Sequence, residues 1–576
     1  TINADNAYLP ASVRTRMAEA GVSTIAVGRL NNDTGPVLSD ARNTTLRGVF
    51  GAKGDLGDGW SWDAYYQYGR NRYVSRVGPN NRIQANYRLA IDAVVDPVSH
   101  NIVCRSSLAN PGNGCIPINI FGDGSAVPND YAFGTSYFRA TTTQQVAELN
   151  LRGEPFSTWA GPVSIAAGGG WRKEGLTEAA DPISSRPNAN GSFGGWAFNN
   201  QMPVNGKYDL WEVYGEALLP LARDVAFAKS LELNGAIRRT DYSLSGGVTT
   251  WKVGLSYEPV AGLRFRGTRS RDIRAPNLAE IYEGGGSAQA VVFDRVLGST
   301  VQLFDLAIGN LDLKPEIAET WTGGVVYEPG FAPGLSLSLD YYNIKIDGAI
   351  SSLSPALRVQ GCYDGVPGAC DNVVFNPNGT IAYITHASEN LNALKTSGVD
   401  FELSYQRSLD QIGISAPGRV SLHLMGTYVD KLVQFDAAGP LDKAGWLSLN
   451  SRITGVPKFS GTVDLNYSND SWTLGLLGRL IGKGKFSNLL REGAGAANTI
   501  NDNSIPAYFY LSLNTEVRVP FGDKEAAIFA VVNNLTDTDP PMIPSGAVGN
   551  AAETATNPAF YDVVGRSFKF GVRLKF

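Results

Sequence analysis

The last nine residues, Phe568-Lys569-Phe570-Gly571-Val572-Arg573-Leu574-Lys575-Phe576, decide the fold class of this chain. Apolar and other residues alternate strictly, which is the period of a half-buried β-strand. Every charge falls on one face, and the opposite face carries Phe568, Phe570, Val572, Leu574 and Phe576. The same period of two recurs at residues 60–68, 399–406 and 509–519. A strand with one apolar and one polar face suits a wall between lipid and water.

About 17 such segments of roughly 10 to 17 residues lie between Thr44 and Phe576. Strands of soluble sandwiches are shorter, at about 5 or 6 residues. No apolar run approaches the ~18 residues that a membrane-spanning helix needs. The sequence therefore predicts an all-β fold, a transmembrane antiparallel β-barrel.

The predicted connections between these segments alternate in length. Short turns fall at residues 55–59, 258–262, 328–334, 468–470 and 521–524. Long loops fall between them, at about 78–134, 176–207, 276–312, 350–392, 432–453, 485–505 and 538–558. One tight turn, Ser243 to Gly247, lies on the long-loop side. Outer-membrane barrels have short periplasmic turns and long extracellular loops.

The composition argues against other classes of protein. The chain has 49 basic and 54 acidic side chains, so it lacks the basic excess expected of a nucleic-acid binder. His100, His386 and His423 are scattered without metal-ligand spacing, and the sequence contains no G-x-S-x-G nucleophile motif. We therefore expect no enzyme, no metal site, no cofactor and no nucleic-acid partner.

The four cysteines form two close pairs, Cys104 with Cys115 and Cys362 with Cys370. Each pair lies in a stretch rich in Gly, Pro and Asn, without zinc-site spacing. This arrangement favours two local disulfides on exposed loops, formed in an oxidising compartment, over free thiols.

The chain begins at Thr1 without an initiator Met or an export signal. If the last strand ends at the periplasm, an odd count of 17 makes the first strand run inward. Residues 1–43 are then expected to form an extracellular loop, and residues 44–576 the barrel. Because single-chain bacterial barrels normally have an even number of strands, we expect a fragment of a longer protein.

Four segments resemble, in order along the chain, motifs of the TonB-dependent outer-membrane receptors: Thr268–Gly285, Asn310–Gly330, Leu337–Ile350 and Val531–Pro541. The first, TRSRDIRAPNLAEIYEGG, resembles a strand-to-loop motif of the family. The last resembles its Asn-Asn-Leu-Phe-Asp element, with Thr536 in place of the usual aromatic residue. The alternating final strand is similar to the signal that the barrel-assembly machinery reads.

The resemblance implies a protein of the bacterial outer membrane with a 22-stranded barrel. An N-terminal plug fills such a barrel, and the TonB energy-transducing complex acts on a short N-terminal box. It also implies that the plug, the TonB box and about five strands are missing from this chain. The function implied is active uptake of a scarce bulky solute, such as a siderophore or carbohydrate. A passive porin and a secreted glycan-binding β protein are the alternatives.

Two sets of residues are candidate ligand contacts. The first lies at the predicted barrel mouth and consists of polar residues of the strand-to-loop motif: Asp272, Arg274, Asn277, Glu280 and Tyr282. The alternative for these residues is that they pair with one another and with the plug. The second consists of aromatic residues of long loops: Tyr131, Phe133, Trp196, Phe198 and Tyr363. Aromatic faces stack on many ligands, and the alternative for this set is local packing within the loops.

Two further expectations concern the surroundings of the mouth. Residues 83–96 are expected to form a short amphipathic helix over the pore. Arg269 and Arg271 fall on the outward face, where guanidinium groups could meet phosphates of lipopolysaccharide. A change of register at a β-bulge is the alternative for these two arginines.

Overall fold

The fold is that of a computed structural model, which describes residues 1–29, 31–188, 192–436, 439–448, 455–493, 499–521, 524–543 and 556–575. In the described residues one antiparallel sheet contains seventeen long strands and the short strand Gly439–Asp442. We number the long strands in chain order: β1 Val37–Gly57, β2 Trp60–Arg82, β3 Phe133–Thr158, β4 Gly161–Ala180, β5 Val204–Val225, β6 Ala228–Tyr242, β7 Gly246–Val260, β8 Leu263–Arg274, β9 Glu316–Tyr327, β10 Leu335–Ser351, β11 Glu389–Ser408, β12 Arg419–Asp436, β13 Phe459–Ser468, β14 Trp472–Ile481, β15 Tyr508–Phe521, β16 Lys524–Asn533 and β17 Ser567–Lys575.

Each long strand pairs with the next one along the chain, from β1 with β2 to β16 with β17. This up-and-down order confirms the predicted barrel wall. Within the described residues, no ladder joins β1 to β17. The short strand Gly439–Asp442 extends the wall by pairing with the end of β12.

Several strands are longer than the roughly 10 to 17 residues that the sequence pattern predicts. The strand β1 begins at Val37, whereas the predicted barrel boundary was residue 44, and β3 contains 26 residues. Residues 37–43 pair with residues 73–79 of β2. Because this part of the wall carries Asp40 and Arg42 rather than apolar residues, its sequence lacks the alternation by which strands were recognised.

The connections confirm the predicted alternation. Long segments join β2 to β3, β4 to β5, β8 to β9, β10 to β11, β12 to β13, β14 to β15 and β16 to β17, all at one end of the sheet. Short turns join the strands at the other end, and the tight turn between β6 and β7 lies on the long-loop side. The long-loop end is the extracellular end of an outer-membrane barrel.

The two faces of the wall differ in chemistry. The outer face carries exposed apolar side chains, among them Phe50, Trp211 and Trp321. The inner face carries ion pairs, such as the bidentate contact of Arg266 with Asp340, at 2.5 and 2.7 Å. Phe568, Phe570, Val572 and Leu574 lie exposed on one face of β17, as predicted, and Phe576 lies outside the described residues.

The segments outside the wall contain five α-helices among the described residues: α1 Ala11–Glu19, α2 Gln84–Ile91, α3 Arg105–Ala109, α4 Leu278–Tyr282 and α5 Pro355–Tyr363. In the same set of residues, none of the helices is long and apolar enough to cross a membrane. The helix α2 confirms the helix expected within residues 83–96. A hairpin, Gly284–Asp294 with Ser299–Ile308, projects from the β8–β9 loop, and its second strand pairs in parallel with Ile381–Ala387.

Apolar cores form mainly in the extracellular loops. One core joins the start of the chain, through Ile2, Leu9 and Met17, to Ala90 and Ile118 of the β2–β3 loop. A second core joins the β8–β9 hairpin to α5. Both predicted disulfides are present, Cys104–Cys115 and Cys362–Cys370, and each lies in one of these loop assemblies. The loops therefore form a packed cap at the extracellular end.

Candidate ligand-binding site

The five polar residues predicted at the barrel mouth lie together, at the end of β8 and in α4. Arg274 donates to both oxygens of Glu316, at 2.7 and 2.9 Å, and to Glu280 at 3.0 Å. Asn277 caps α4 by accepting from the Glu280 N–H at 2.9 Å, while the Glu280 carboxylate accepts from the Asn277 N–H at 2.8 Å. This reciprocal capping fixes where the helix begins.

The remaining two residues of this set also bind protein groups. Asp272 accepts a hydrogen bond from the Ser270 hydroxyl at 2.6 Å. The Tyr282 hydroxyl donates to the Lys207 carbonyl at 2.7 Å. The motif therefore anchors α4 to β5 and β9, as the alternative interpretation of these residues describes. Direct contact of the five with a ligand stays a prediction.

Helix α4 lies against the inner face of the wall. Leu278 and Ile281 are buried with Leu176, Tyr208 and Leu210 of β4 and β5. Beside the start of the helix is a cavity of about 460 Å³, whose lining includes Arg47, Gln67, Gln144 and Glu174. These inner-face residues form a hydrogen-bonded chain across four strands, from Arg47 through Gln67 and Gln144 to Glu174.

Most of the aromatic residues predicted as ligand contacts pack against other residues of the loops. Phe133 is buried in the core at the start of the chain, and Tyr131 packs against the same core. Tyr363 packs against the α5 core and accepts from the Arg295 N–H at 3.1 Å. Trp196 is buried. Phe198 is exposed over about half of its surface, at 53%.

Trp196 is held by a partly buried carboxylate, because its indole N–H donates to Asp181 at 2.9 Å. Burial opposes ionisation of Asp181, which lies just beyond the end of β4. Hydrogen bonds from Ser184, the Tyr137 N–H and the Trp196 indole outweigh that effect and hold the pKa of the carboxyl below its ordinary value. The β4–β5 loop is therefore fixed by an ionised carboxylate.

A cleft of about 600 Å³ opens between four extracellular elements: α2, the β4–β5 loop, Ser299–Ile308 and Ile381–Ala387. Arg88 and Arg186 line it from two different loops, and Phe304 lines it from the hairpin. Both arginines are exposed, and neither forms an ion pair with any residue that the structure describes. Two unpaired guanidinium groups beside an aromatic ring suit a ligand that is both anionic and flat.

Sequence reasoning missed both arginines of the cleft. Arg88 lies in α2, within the helix that the sequence predicts over the pore. A basic residue on that helix is a signal by which the sequence could have indicated a ligand contact. Arg186 lies in a Ser-Ser-Arg-Pro stretch without periodicity. Arg269 lies on the outer face as expected, with its guanidinium 4.6 Å from the centroid of the Trp321 ring.

A long antiparallel wall, short turns at one end and a capped mouth at the other define the class of outer-membrane barrel receptors. Residues 3–535 match the family described as TonB dependent receptor-like, beta-barrel. The chain belongs to this family, which places it in the bacterial outer membrane.

Solved structures share the fold. The siderophore receptor PirA from Acinetobacter baumannii is 16% identical with a TM-score of 0.56, covering 93% of this chain and 63% of that one. A mutant of the ferric enterobactin receptor PfeA from Pseudomonas aeruginosa, in complex with enterobactin, is 16% identical with a TM-score of 0.58, covering 92% and 62%. The pyoverdine receptor FpvA from the same organism, bound to pyoverdine, is 14% identical with a TM-score of 0.53, covering 93% and 62%. The chain thus spans less than two thirds of the length of these receptors.

Proposed function

We propose that the protein takes up an anionic ferric siderophore across the outer membrane, driven by the TonB complex. The observation that carries this proposal is the cleft of Arg88 and Arg186 at the extracellular end of a receptor-family barrel. The similar receptors PirA, PfeA and FpvA are siderophore receptors, which supports the same ligand class.

The charge of the cleft favours an anionic chelate over a neutral carbohydrate. A guanidinium group binds a carboxylate or catecholate oxygen through charge-assisted hydrogen bonds, which are roughly twice as strong as neutral ones. A sugar hydroxyl offers only a neutral acceptor. Phe304 adds a ring face that can pack against a catechol.

The test is uptake of radioactive iron by cells that express the complete receptor and lack their own siderophore receptors. We expect uptake from an anionic catecholate chelate, and loss of that uptake when the tonB gene is deleted. Uptake that survives the deletion would instead support a passive porin. Growth on an oligosaccharide, without iron uptake, would support the carbohydrate alternative.

The double variant Arg88→Glu/Arg186→Glu tests the cleft itself. We expect the apparent Kd for the chelate to rise by a factor of at least about 100, because each lost charged contact costs about 1.5 to 3 kcal/mol and the variant removes two. The matched control is Arg16→Glu/Arg491→Glu, which reverses two other exposed arginines of the loop cap. Equal affinity of the two double variants would contradict the proposal.

A further inference from the structure

The hairpin of the β8–β9 loop carries exposed apolar side chains on the face turned away from α5. Val291 and Phe293 are 58% and 51% exposed, whereas Ala290 and Val292, which alternate with them, are buried in the core shared with α5. Successive side chains of a strand point to opposite faces. The hairpin therefore presents two large apolar side chains to solvent on its other face.

Phe304, on the second strand of the hairpin, lies on this same face. Its neighbour Leu303 is buried in the α5 core, so Phe304 points the other way. Phe304 pairs with residue 289, two positions before Val291. Phe304 and Val291 are therefore diagonal neighbours, whose Cα atoms lie about 7 to 8 Å apart in an antiparallel ladder. We call the row of Phe304, Val291 and Phe293 the apolar strip.

The apolar strip leads out of the candidate ligand cleft. Phe304, at one end of the strip, lines the cleft together with Arg88 and Arg186. Val291 and Phe293 continue the row on the neighbouring strand, outside the cleft. A molecule held between the two arginines thus meets an apolar surface on one side.

The strip lies above the apolar band of the membrane. The 12 residues of β8 rise about 31 Å at ~3.4 Å per residue and a tilt of ~40°, whereas the band is about 25 Å tall. The hairpin begins at Gly284, beyond the end of β8 and of α4. Adjoining large apolar side chains on a surface that faces water mark a binding site more often than isolated ones do.

We propose that the cargo of this receptor is an anionic ferric chelate that carries an aliphatic chain. The inference rests on the proposed function, because the chelate occupies the cleft and the chain lies along the apolar strip. Burial of two methylene groups is enough for about a tenfold gain in affinity. A second copy of this chain fits the strip less well, since a stable interface takes roughly 20 to 30 residues from each partner.

The experiment compares two probes, a ferric tris-catecholate chelate and the same chelate with an octanoyl chain attached. Quenching of tryptophan fluorescence measures their binding to the complete receptor in lipid nanodiscs, where no detergent competes for the strip. We expect the wild type to bind the acylated probe at least about ten times more tightly than the parent probe. Equal affinities would overturn the inference and leave the proposed function intact, whereas binding of neither probe would refute both.

Two matched double variants locate the chain. Val291→Thr/Phe293→Thr makes the outer part of the strip polar with residues that still favour a strand. The control, Leu357→Thr/Val366→Thr, changes two residues that are 47% and 48% exposed, in α5 and just after it. We expect the advantage of the acylated probe to fall below about threefold in the first variant alone. An advantage that survives in both, as it would if the probe merely dissolved in the lipid, would overturn the proposal.

A conservative variant separates a lost contact from a disturbed hairpin. Val291→Leu/Phe293→Leu keeps the strip apolar, so it should retain the advantage that the Thr variant loses. The parent probe should bind all variants equally, because the arginines of the cleft are unchanged. Loss of the advantage in the Leu variant as well would contradict the proposal. So would wild-type dimers, seen by native mass spectrometry without probe, that the Thr variant no longer forms, because a second copy would then cover the strip.

Discussion

Arg274 binds two carboxylates at once and so joins the end of β8 to both β9 and α4. Glu316 is the less exposed of the two acids, and its Oε1 also accepts from the Ile350 N–H at 2.6 Å. A buried carboxylate with three donors is costly to replace, because each donor loses a charged acceptor. An exposed hydrogen-bonded pair such as Glu402 with His423 contributes little by comparison.

We expect Glu316→Gln to lower the free energy of unfolding by about 1 to 2 kcal/mol. The control Glu402→Gln should cost less than about 0.5 kcal/mol, because its side chain is 52% exposed. Urea unfolding of the receptor in lipid vesicles measures both. Equal free energies of unfolding for the two variants would show that the Arg274 network does not stabilise the barrel mouth.

The Asp181 carboxylate gives the β4–β5 loop a dependence on pH. Because its folded pKa lies below the ordinary value of 3.8, its contribution to stability is fully present above that value. The contribution is lost as the pH falls through the folded pKa. We therefore expect residues 181–188 and 192–203 to exchange amide hydrogens faster, after correction for intrinsic exchange, below a pH of about 4.

Asp181→Asn should abolish the pH dependence of amide exchange in this loop. The exchange should also be faster at neutral pH, because a neutral amide is a weaker acceptor than the carboxylate to which Ser184 and Trp196 donate. Asp502→Asn, in the β14–β15 loop, is the control. A wild-type loop whose exchange does not change between pH 6 and about 3 would contradict this account.

At the scale of secondary-structure elements, the position of α4 depends on the absence of a side chain at Gly206. A Cβ at Gly206 of β5 would lie 2.3 Å from atoms of the Tyr282 ring, so the ring can occupy its place only because residue 206 is glycine. Gly215 lies on the same strand, and a Cβ there would meet no atom within 4 Å. The two positions therefore form a matched pair.

We expect Gly206→Ala to displace Tyr282, break its hydrogen bond to Lys207 and raise the proteolytic sensitivity of the segment around α4. Gly215→Ala should leave digestion unchanged. Mass spectrometry of limited digests locates the cuts. Digestion of both variants at the wild-type rate would show that the close fit of Tyr282 against Gly206 does not hold α4 in place.

At the scale of the whole molecule, the sequence predicts the wall well because lipid and water impose a period of two on each strand. It places some strand ends poorly, as at Val37, where residue 44 was predicted, because a strand outside the membrane no longer needs apolar residues. The contact of Arg274 with Glu280 was predictable, since both residues lie within one motif, whereas Glu316 belongs to the next one. The cleft was not, because Arg88 and Arg186 are about 100 residues apart and only loop packing joins them.

The two disulfides bear on the order of events during biogenesis. Each closes a short ring within one extracellular loop, spanning 11 residues at Cys104–Cys115 and 8 at Cys362–Cys370. Loops destined for the cell surface first cross the bacterial periplasm, which is an oxidising compartment. The rings can therefore be closed before the loops leave it. In that case the assembly machinery must pass loops that are already closed by disulfides through the nascent barrel wall, instead of an extended chain.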